Sequence, residues 1–282
     1  MKPVIIIGAG RSGTNILRDV ITASSEYATW PCDEINYIWR HGNISQPTDE
    51  FKPEHATPRV KKYIRKSFHR FSRRQRAGTT VVEKTCANSL RVAFVNEIFP
   101  DARFIHIIRD GRDVVNSAMK RWRAELNVGY ILKKARYIPM SDIPYYGTRY
   151  VGNRVHRLLS KEGRLAFWGP RYSGMDQHLK TRPLVEICSF QWLRCVEKAL
   201  EELDGLDSDR VYTVHYEDLI QSPAEEISGL FRFLGESGAD EEKLSAMVHS
   251  NSQERWKKEL SEGQLDQIND IIEPLLKRLS YK

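Results

Sequence analysis

The sequence predicts an α/β fold: a parallel sheet flanked by helices, with a long insertion between the third helix and the later sheet elements. Apolar, β-branched runs at Val4–Ile7, Thr79–Glu83, Phe104–Ile108 and Val211–Val214 have the length and content of buried strands. Segments of helical spacing follow them, and strand–helix alternation is the pattern of a parallel sheet covered on both faces. At 282 residues, 40% hydrophobic and 29% charged, the chain can bury a large core as a single domain over 1–282.

Each element has its own signal. Val4–Ile7 runs into a glycine-rich turn, Gly8–Gly13, and then a helix from Thr14 whose Ile16, Leu17, Val20 and Ile21 recur at helical spacing. The stretch from Thr22 to Pro58 is polar, and Ala23–Cys32 lacks the content of a buried strand. Val60–Arg76 reads as a basic helix, and Thr79–Glu83 as a strand bounded by Gly78. Ser89–Phe99 is an amphipathic helix stopped by Pro100. Asp110–Trp122 is a third helix. Residues 123–183, rich in Tyr, Gly, Pro and Arg, break the alternation, and so long a segment is usually a functional insertion. Helices return at Ile187–Leu203, Pro223–Leu234 and Glu262–Leu279, the last with Pro274 inside it.

Lys and Arg number 44 against 37 Asp and Glu, a net charge of +7 that favours anionic partners. No apolar run approaches the roughly 20 residues of a membrane span. Met1-Lys2-Pro3 and the short run after it lack the h-region of a signal peptide, so a cytoplasmic place is expected, with a peripheral one at the inner membrane surface as the alternative. Cys32, Cys86, Cys188 and Cys195 form no C-x-x-C pair, the histidines are scattered, and no G-x-S-x-G elbow occurs. Zinc-site and serine-hydrolase readings therefore have no support, and no metal is expected.

The turn Gly8–Gly13, between strand and helix, presents backbone N–H groups at a positive helix end, a ready anion site. It matches the dinucleotide fingerprint G-x-G-x-x-G, and Asp33 and Glu34 stand at about the expected distance, but no apolar strand leads to them. It also has the glycine spacing of a nucleotide-kinase loop, but Thr14 occupies the lysine position and the cation sits inside the loop at Arg11. A second strand–turn–helix places Arg109 at a strand's C-terminal edge, where open α/β sheets bind ligands. Ser117 and Arg121, four residues apart, share one helix face. Asp110 or Asp113 could pair with these arginines as a helix cap, a reading that suits Arg112 best. Two anion sites at neighbouring strand ends fit a nucleotide phosphorylated at both ends.

Gly10-Arg-Ser-Gly-Thr-Asn15 with Arg109-Asp-Gly-Arg112 and Ser117 resembles the sulfotransferases that use 3′-phosphoadenosine-5′-phosphosulfate (PAPS), most closely the branch with tyrosylprotein and bacterial carbohydrate sulfotransferases. Val214-His-Tyr216-Glu-Asp-Leu219, Pro223, Phe231–Gly235 and Arg255-Trp256 extend the likeness, which spans about 2–122 and 187–280. The resemblance implies a P-loop-like fold and PAPS as co-substrate. It assigns the 5′-phosphosulfate to Arg11, Ser12, Gly13, Thr14 and Asn15. It assigns the 3′-phosphate to Arg109 and Ser117, a further basic contact to Arg121 and an adenine-side contact to Tyr216. Arg255 stands where the tyrosylprotein branch has a lysine that touches the donor.

The resemblance also implies catalytic roles. Sulfuryl transfer, like phosphoryl transfer, calls for positioned cations and a base rather than a covalent nucleophile. Arg11 and Lys84 supply the cations, unless Lys84 merely pairs with Glu83. Glu34 matches the base glutamate, with Asp33 as the adjacent rival and His41, His55 or His106 as the histidines other sulfotransferases would use. His106, inside a strand, reads better as a core residue.

Acceptor binding is expected in 123–183. It carries Tyr130, Tyr137, Tyr145, Tyr146, Tyr150, Trp168 and Tyr172 among Arg136, Arg149, Arg154, Arg157, Arg164 and Arg171. Aromatic faces beside guanidiniums suit sugar rings bearing acidic groups, and suit nucleobases too. Phe167–Arg171 resembles a stretch of bacterial sulfotransferases acting on cell-surface glycans, which points to a hydroxyl-bearing carbohydrate acceptor. The basic helix could guide a polyanion. The rival readings are a nucleotide kinase and a nucleic-acid-binding module; no nucleic-acid motif supports the second.

Overall fold

A computed structural model describes residues 1–124, 136–159, 165–236, 240–248 and 252–281. Five strands form one parallel sheet in the order β2-β3-β1-β4-β5. They are β1 (Val4–Ile7), β2 (Tyr27–Ala28), β3 (Thr80–Lys84), β4 (Arg103–Ile108) and β5 (Val211–His215). The central strand β1 is buried on both faces, as its unbroken apolar run requires. Each fully buried isoleucine there stabilises the fold by about 1.5–3 kcal/mol.

Helix α1 (Thr14–Thr22) follows β1, and α2 (Asn36–Arg40) and α3 (Pro58–Ser72) lie before β3. Then come α4 (Val92–Ile98), α5 (Gly111–Arg123), α6 (Ile143–Leu159), α7 (Met175–Thr181) and α8 (Leu184–Asp204). After β5 stand α9 (Tyr216–Gln221), α10 (Pro223–Leu234), α11 (Glu241–Ser245), α12 (Trp256–Glu259) and α13 (Glu262–Arg278). One apolar cluster packs α1, α9 and α10 on one side of the sheet, and another packs α3 and α4 against β1, β3 and β4. A third, around the fully buried Trp122 and Trp192, joins α5, α8 and α13.

The strand predicted at Thr79–Glu83 stands one residue further on, at Thr80–Lys84, and the one predicted at Phe104–Ile108 begins one residue earlier, at Arg103. A two-residue strand also stands at Tyr27–Ala28, where none was expected; it pairs only with Thr80 and Val81, too short to leave a periodic signal. The helix expected over Ser89–Phe99 starts at Val92, because the buried Cys86–Leu90 forms a tighter 3₁₀ turn. The basic helix begins earlier and ends sooner, with Thr57 accepting a hydrogen bond from the Val60 N–H and Pro58 opening the first turn. Within 123–183, α6 and α7 supply helical structure that the Gly- and Pro-rich composition obscured.

Candidate active site

The parallel strands bring the loops after β1, β3 and β4 and the start of α9 to one edge of the sheet. There they open on a cavity of about 770 Å³, a size suited to a nucleotide or drug-sized ligand. The loop after β1 is held tightly. A Cβ on Gly8 would come within 2.9 Å of the Ile107 carbonyl, and one on Gly13 within 2.5 Å of the Tyr216 ring. Gly13 also adopts φ 91°, and Arg11, a non-glycine residue, is held at φ 80°. Such a backbone costs of order 1–3 kcal/mol and persists only where the surroundings enforce it.

The two sequence motifs meet directly. Arg11 Nε donates to Ser117 Oγ at 3.0 Å, and Arg109 Nη1 donates to the Arg11 carbonyl at 3.2 Å. Arg109 also pairs with Asp113 at 3.3 Å and lies 4.2 Å over the Tyr216 ring. Arg11, Arg109 and Arg121 line the cavity together. Burial, and then the charges of Arg121 and Arg109, lower the pKa of Arg11, so the cluster lacks full compensation by carboxylates. Ser12 Oγ, Asn15 Oδ1 and Arg109 Nε are buried without a hydrogen-bond partner. Orphaned polar atoms of this kind are costly unless a ligand engages them.

Arg112 forms the helix-capping pair with Asp110, at 2.7 Å, and stacks 4.1 Å from the Trp256 ring. Asp113 accepts from the backbone N–H groups of Glu254 and Trp256, so it anchors the C-terminal segment against α5. Ser252 of that segment lines the cavity and its carbonyl accepts from Arg109. Arg255, at the N-terminus of α12, is not among the cavity-lining residues, nor are Ser12 and Ser117, which act from behind.

Beyond the β1 loop lies a second group. Lys84, almost wholly buried at the end of β3, places Nζ 3.6 Å from Glu34 Oε1. Burial, the largest single effect, lowers the lysine pKa, but Glu34 together with Cys86 and Asp33 outweighs it and the net shift is upward. Glu34 Oε1 also accepts from the Cys86 N–H at 3.3 Å. Asp33 faces the cavity too, but is paired with Arg18 at 3.0 Å. The expected alternative pairing of Lys84 with Glu83 does not occur. Successive strand residues point to opposite faces, and Glu83 is instead buried against Thr85 and Asn88. His106 is buried in β4, where burial lowers its pKa to about 4, and His41 pairs with Asp142 at 2.9 Å. His55 bonds locally to Lys52.

The far wall comes from the insertion: Tyr145, Tyr146, Tyr150, Phe167, Trp168, Arg149 and Arg171. Tyr146 meets the Tyr37 ring edge-on at 4.5 Å, and its hydroxyl is buried without a partner. Tyr172, expected among these aromatics, is buried in the core and bonds to His178. Tyr137 and Arg136 open on a different groove. Tyr130 and Arg164, and the side chains of Arg154 and Arg157, lie outside the described residues.

Comparison with known proteins now decides the family. A profile described as the sulfotransferase family matches residues 3–164, more than half of the chain. The chain belongs to the sulfotransferase family. It is 26% identical over 184 residues to omega-hydroxy-beta-dihydromenaquinone-9 sulfotransferase Stf3 of Mycobacterium tuberculosis, a match covering 64% of this chain and 36% of the relative. The chain thus spans about a third of the length of the curated relatives it matches. Its fold is that of the sulfotransferase domain from the curacin biosynthetic pathway, with TM-score 0.55, 14% identity, and coverage of 100% of this chain and 98% of that one. The STF9 sulfotransferase from Mycobacterium avium is similar at TM-score 0.54 and 11% identity, covering 98% and 76%.

Two features of this sulfotransferase site carried no local sequence signal. Gln191 on α8 donates to the Trp168 and Pro170 carbonyls and so fixes the turn that brings Trp168 to the cavity. Asp49 bonds both to the Arg171 backbone and to Arg40. Both tie distant segments together, and neither a single polar residue on a helix nor one in an irregular stretch shows in the sequence which distant segment it will bond. Among the described residues no group of histidines, cysteines and carboxylates could hold a metal, and no helix is long and apolar enough to cross a membrane.

Proposed function

We propose that this protein transfers a sulfuryl group from PAPS to a hydroxyl acceptor, as a single domain whose 123–183 insertion binds that acceptor. The observation that carries the reading is the cluster of Arg11, Arg109 and Arg121 beside three buried, unpartnered polar atoms, at the meeting of two strand-end loops. The β1 loop, with Arg11, Ser12, Gly13, Thr14 and Asn15, holds the phosphosulfate. Arg109 holds the 3′-phosphate, Ser117 steadies Arg11, Arg121 adds charge, and Tyr216 flanks the adenine. Arg255 takes a supporting place outside the cavity.

PAPS supplies a sulfuryl group whose bond to the 5′-phosphate oxygen breaks as the bond to the acceptor oxygen forms. Glu34 is placed on the acceptor side to take the hydroxyl proton. Lys84 offsets the charge that grows on the departing oxygen, and Arg11 that on the sulfuryl oxygens. The acceptor reading carried from the sequence is a carbohydrate of the kind sulfated by the bacterial carbohydrate branch. A second reading, a lipophilic alcohol, is supported by the aromatic wall of Tyr37, Tyr145, Tyr146, Phe167 and Trp168, whose rings would cover an apolar body. The likeness to Stf3 supports it as well.

The test is transfer from sulfur-labelled PAPS to a panel of oligosaccharides, phenols and long-chain alcohols. Labelled product with one class, lost in Glu34→Gln, is expected. PAPS binding without transfer to any of them would refute the acceptor reading, and no PAPS binding would refute the donor reading.

A further inference from the structure

A second cavity, of about 900 Å³, lies on the other side of the short helix α2. Tyr37 and Arg40 of that helix line the first cavity, whereas Ile38 and the following His41 line the second. Three-residue spacing puts each pair on one helix face, so α2 is a partition between the two spaces. Ile138 lines both, and so marks where they adjoin.

The chemistry of the second cavity differs from its neighbour. Its wall is apolar and aromatic: Trp30 stacks on Phe71 at 4.3 Å, and Tyr63, Tyr137 and Ile138 continue the surface. Around that wall stand Arg70 in the last turn of α3, Arg74 in the turn that follows it, and Arg136. Among the described residues none of the three forms a salt bridge. Arg65 on the same helix is used by the Ile98 carbonyl, Arg76 by Glu26, and Lys61 by Glu97. Asp142, which follows the lining residue Ser141, is engaged by His41, whose ring packs 3.9 Å from that of Tyr63. Three guanidiniums free of carboxylates, edging an apolar wall, complement an anionic group carried on a ring or apolar body.

We propose that this cavity binds the anionic end of an amphiphilic acceptor whose hydroxyl reaches Glu34 in the first cavity. The proposal rests on the sulfotransferase reading, and it explains why the basic run through the end of α3 keeps Arg70 and Arg74 out of salt bridges beside aromatic side chains.

The test uses two fluorescent probes of nearly the same shape, 8-anilinonaphthalene-1-sulfonate and the neutral N-phenyl-1-naphthylamine. Both are titrated in the presence of saturating adenosine 3′,5′-bisphosphate, so that the donor anion sites are filled. Wild-type protein should bind the sulfonate at least about tenfold more tightly than the neutral probe, roughly the effect of one charge-assisted contact. The triple variant Arg70→Gln, Arg74→Gln, Arg136→Gln should lose that preference and keep its affinity for the bisphosphate. Equal binding of the two probes by wild type, or a preference that survives in the variant, would overturn the proposal. Failure of the bisphosphate itself to bind would instead overturn the donor reading.

Discussion

The ammonium of Lys84 lies 3.6 Å from the carboxylate of Glu34, on the acceptor side of the loop that carries Arg11. Strand β3 delivers the first residue and the irregular chain before α2 the second, so the pair exists only in the folded protein. In the proposed mechanism it puts a cation and a base within reach of the same reacting centre. Glu34→Gln keeps an acceptor for the Cys86 N–H and removes the basicity. Turnover should fall by about 10²–10⁴ with bisphosphate affinity nearly unchanged. Asp33→Asn, which weakens the pair with Arg18, should remain active, and a silent Asp33→Asn beside an active Glu34→Gln would reverse the assignment.

Much of this arrangement was legible in the sequence. Four strands, the order of their helices and both anion loops follow from apolar runs and glycine spacing, because local patterns specify them. The adjacency of Arg11 and Ser117 was not legible, since it depends on β1 and β4 pairing side by side. The alternative pairing of Glu83 with Lys84 fails for a related reason: neighbours in a strand face opposite ways. Tyr172 looked like a cavity aromatic because composition cannot tell which ring a turn buries.

Arg109 should discriminate between nucleotides. Its Nε has no partner while its other nitrogens contact Arg11, Ser252 and Asp113, so the Nε–H is left for a ligand. Arg109→Ala should weaken adenosine 3′,5′-bisphosphate by ten- to a hundredfold, about 1.4–2.7 kcal/mol, and adenosine 5′-phosphate by much less. Calorimetric titration of both ligands checks this. Equal losses would remove Arg109 from the 3′-phosphate site.

Tyr146 tests the acceptor wall. Its hydroxyl is buried beside the cavity without a partner, so Tyr146→Phe costs the free protein little. The variant should raise the acceptor KM several-fold and leave bisphosphate binding unchanged. A shift in bisphosphate affinity instead would place Tyr146 on the donor side.

Glu83 gives a pH dependence of stability. Burial pushes its pKa up to about 7 despite hydrogen bonds from Thr85 and Asn88. The folded state therefore holds a proton that the unfolded chain releases above about 4.5, and stability from this group is lost as pH rises toward 7. The loss amounts to about 3 kcal/mol at most. His106 acts in the opposite sense, its buried neutral ring losing stability as pH falls from 6.5 toward 4. Glu83→Gln isolates the first effect. The Tm of the variant minus that of wild type should grow more positive from pH 5 to 7 and then level off, and a pH-independent difference would contradict the buried, proton-binding carboxyl.

The central claim is that one cavity binds a nucleotide phosphorylated at both ends. Calorimetric titration of the wild-type protein with adenosine 3′,5′-bisphosphate, adenosine 5′-phosphate and ATP tests it most directly. The account predicts that the bisphosphate binds at least about tenfold more tightly than either competitor, the difference one buried arginine–phosphate contact supplies. Equal affinity for the two adenosine phosphates, or tighter binding of ATP, would contradict it.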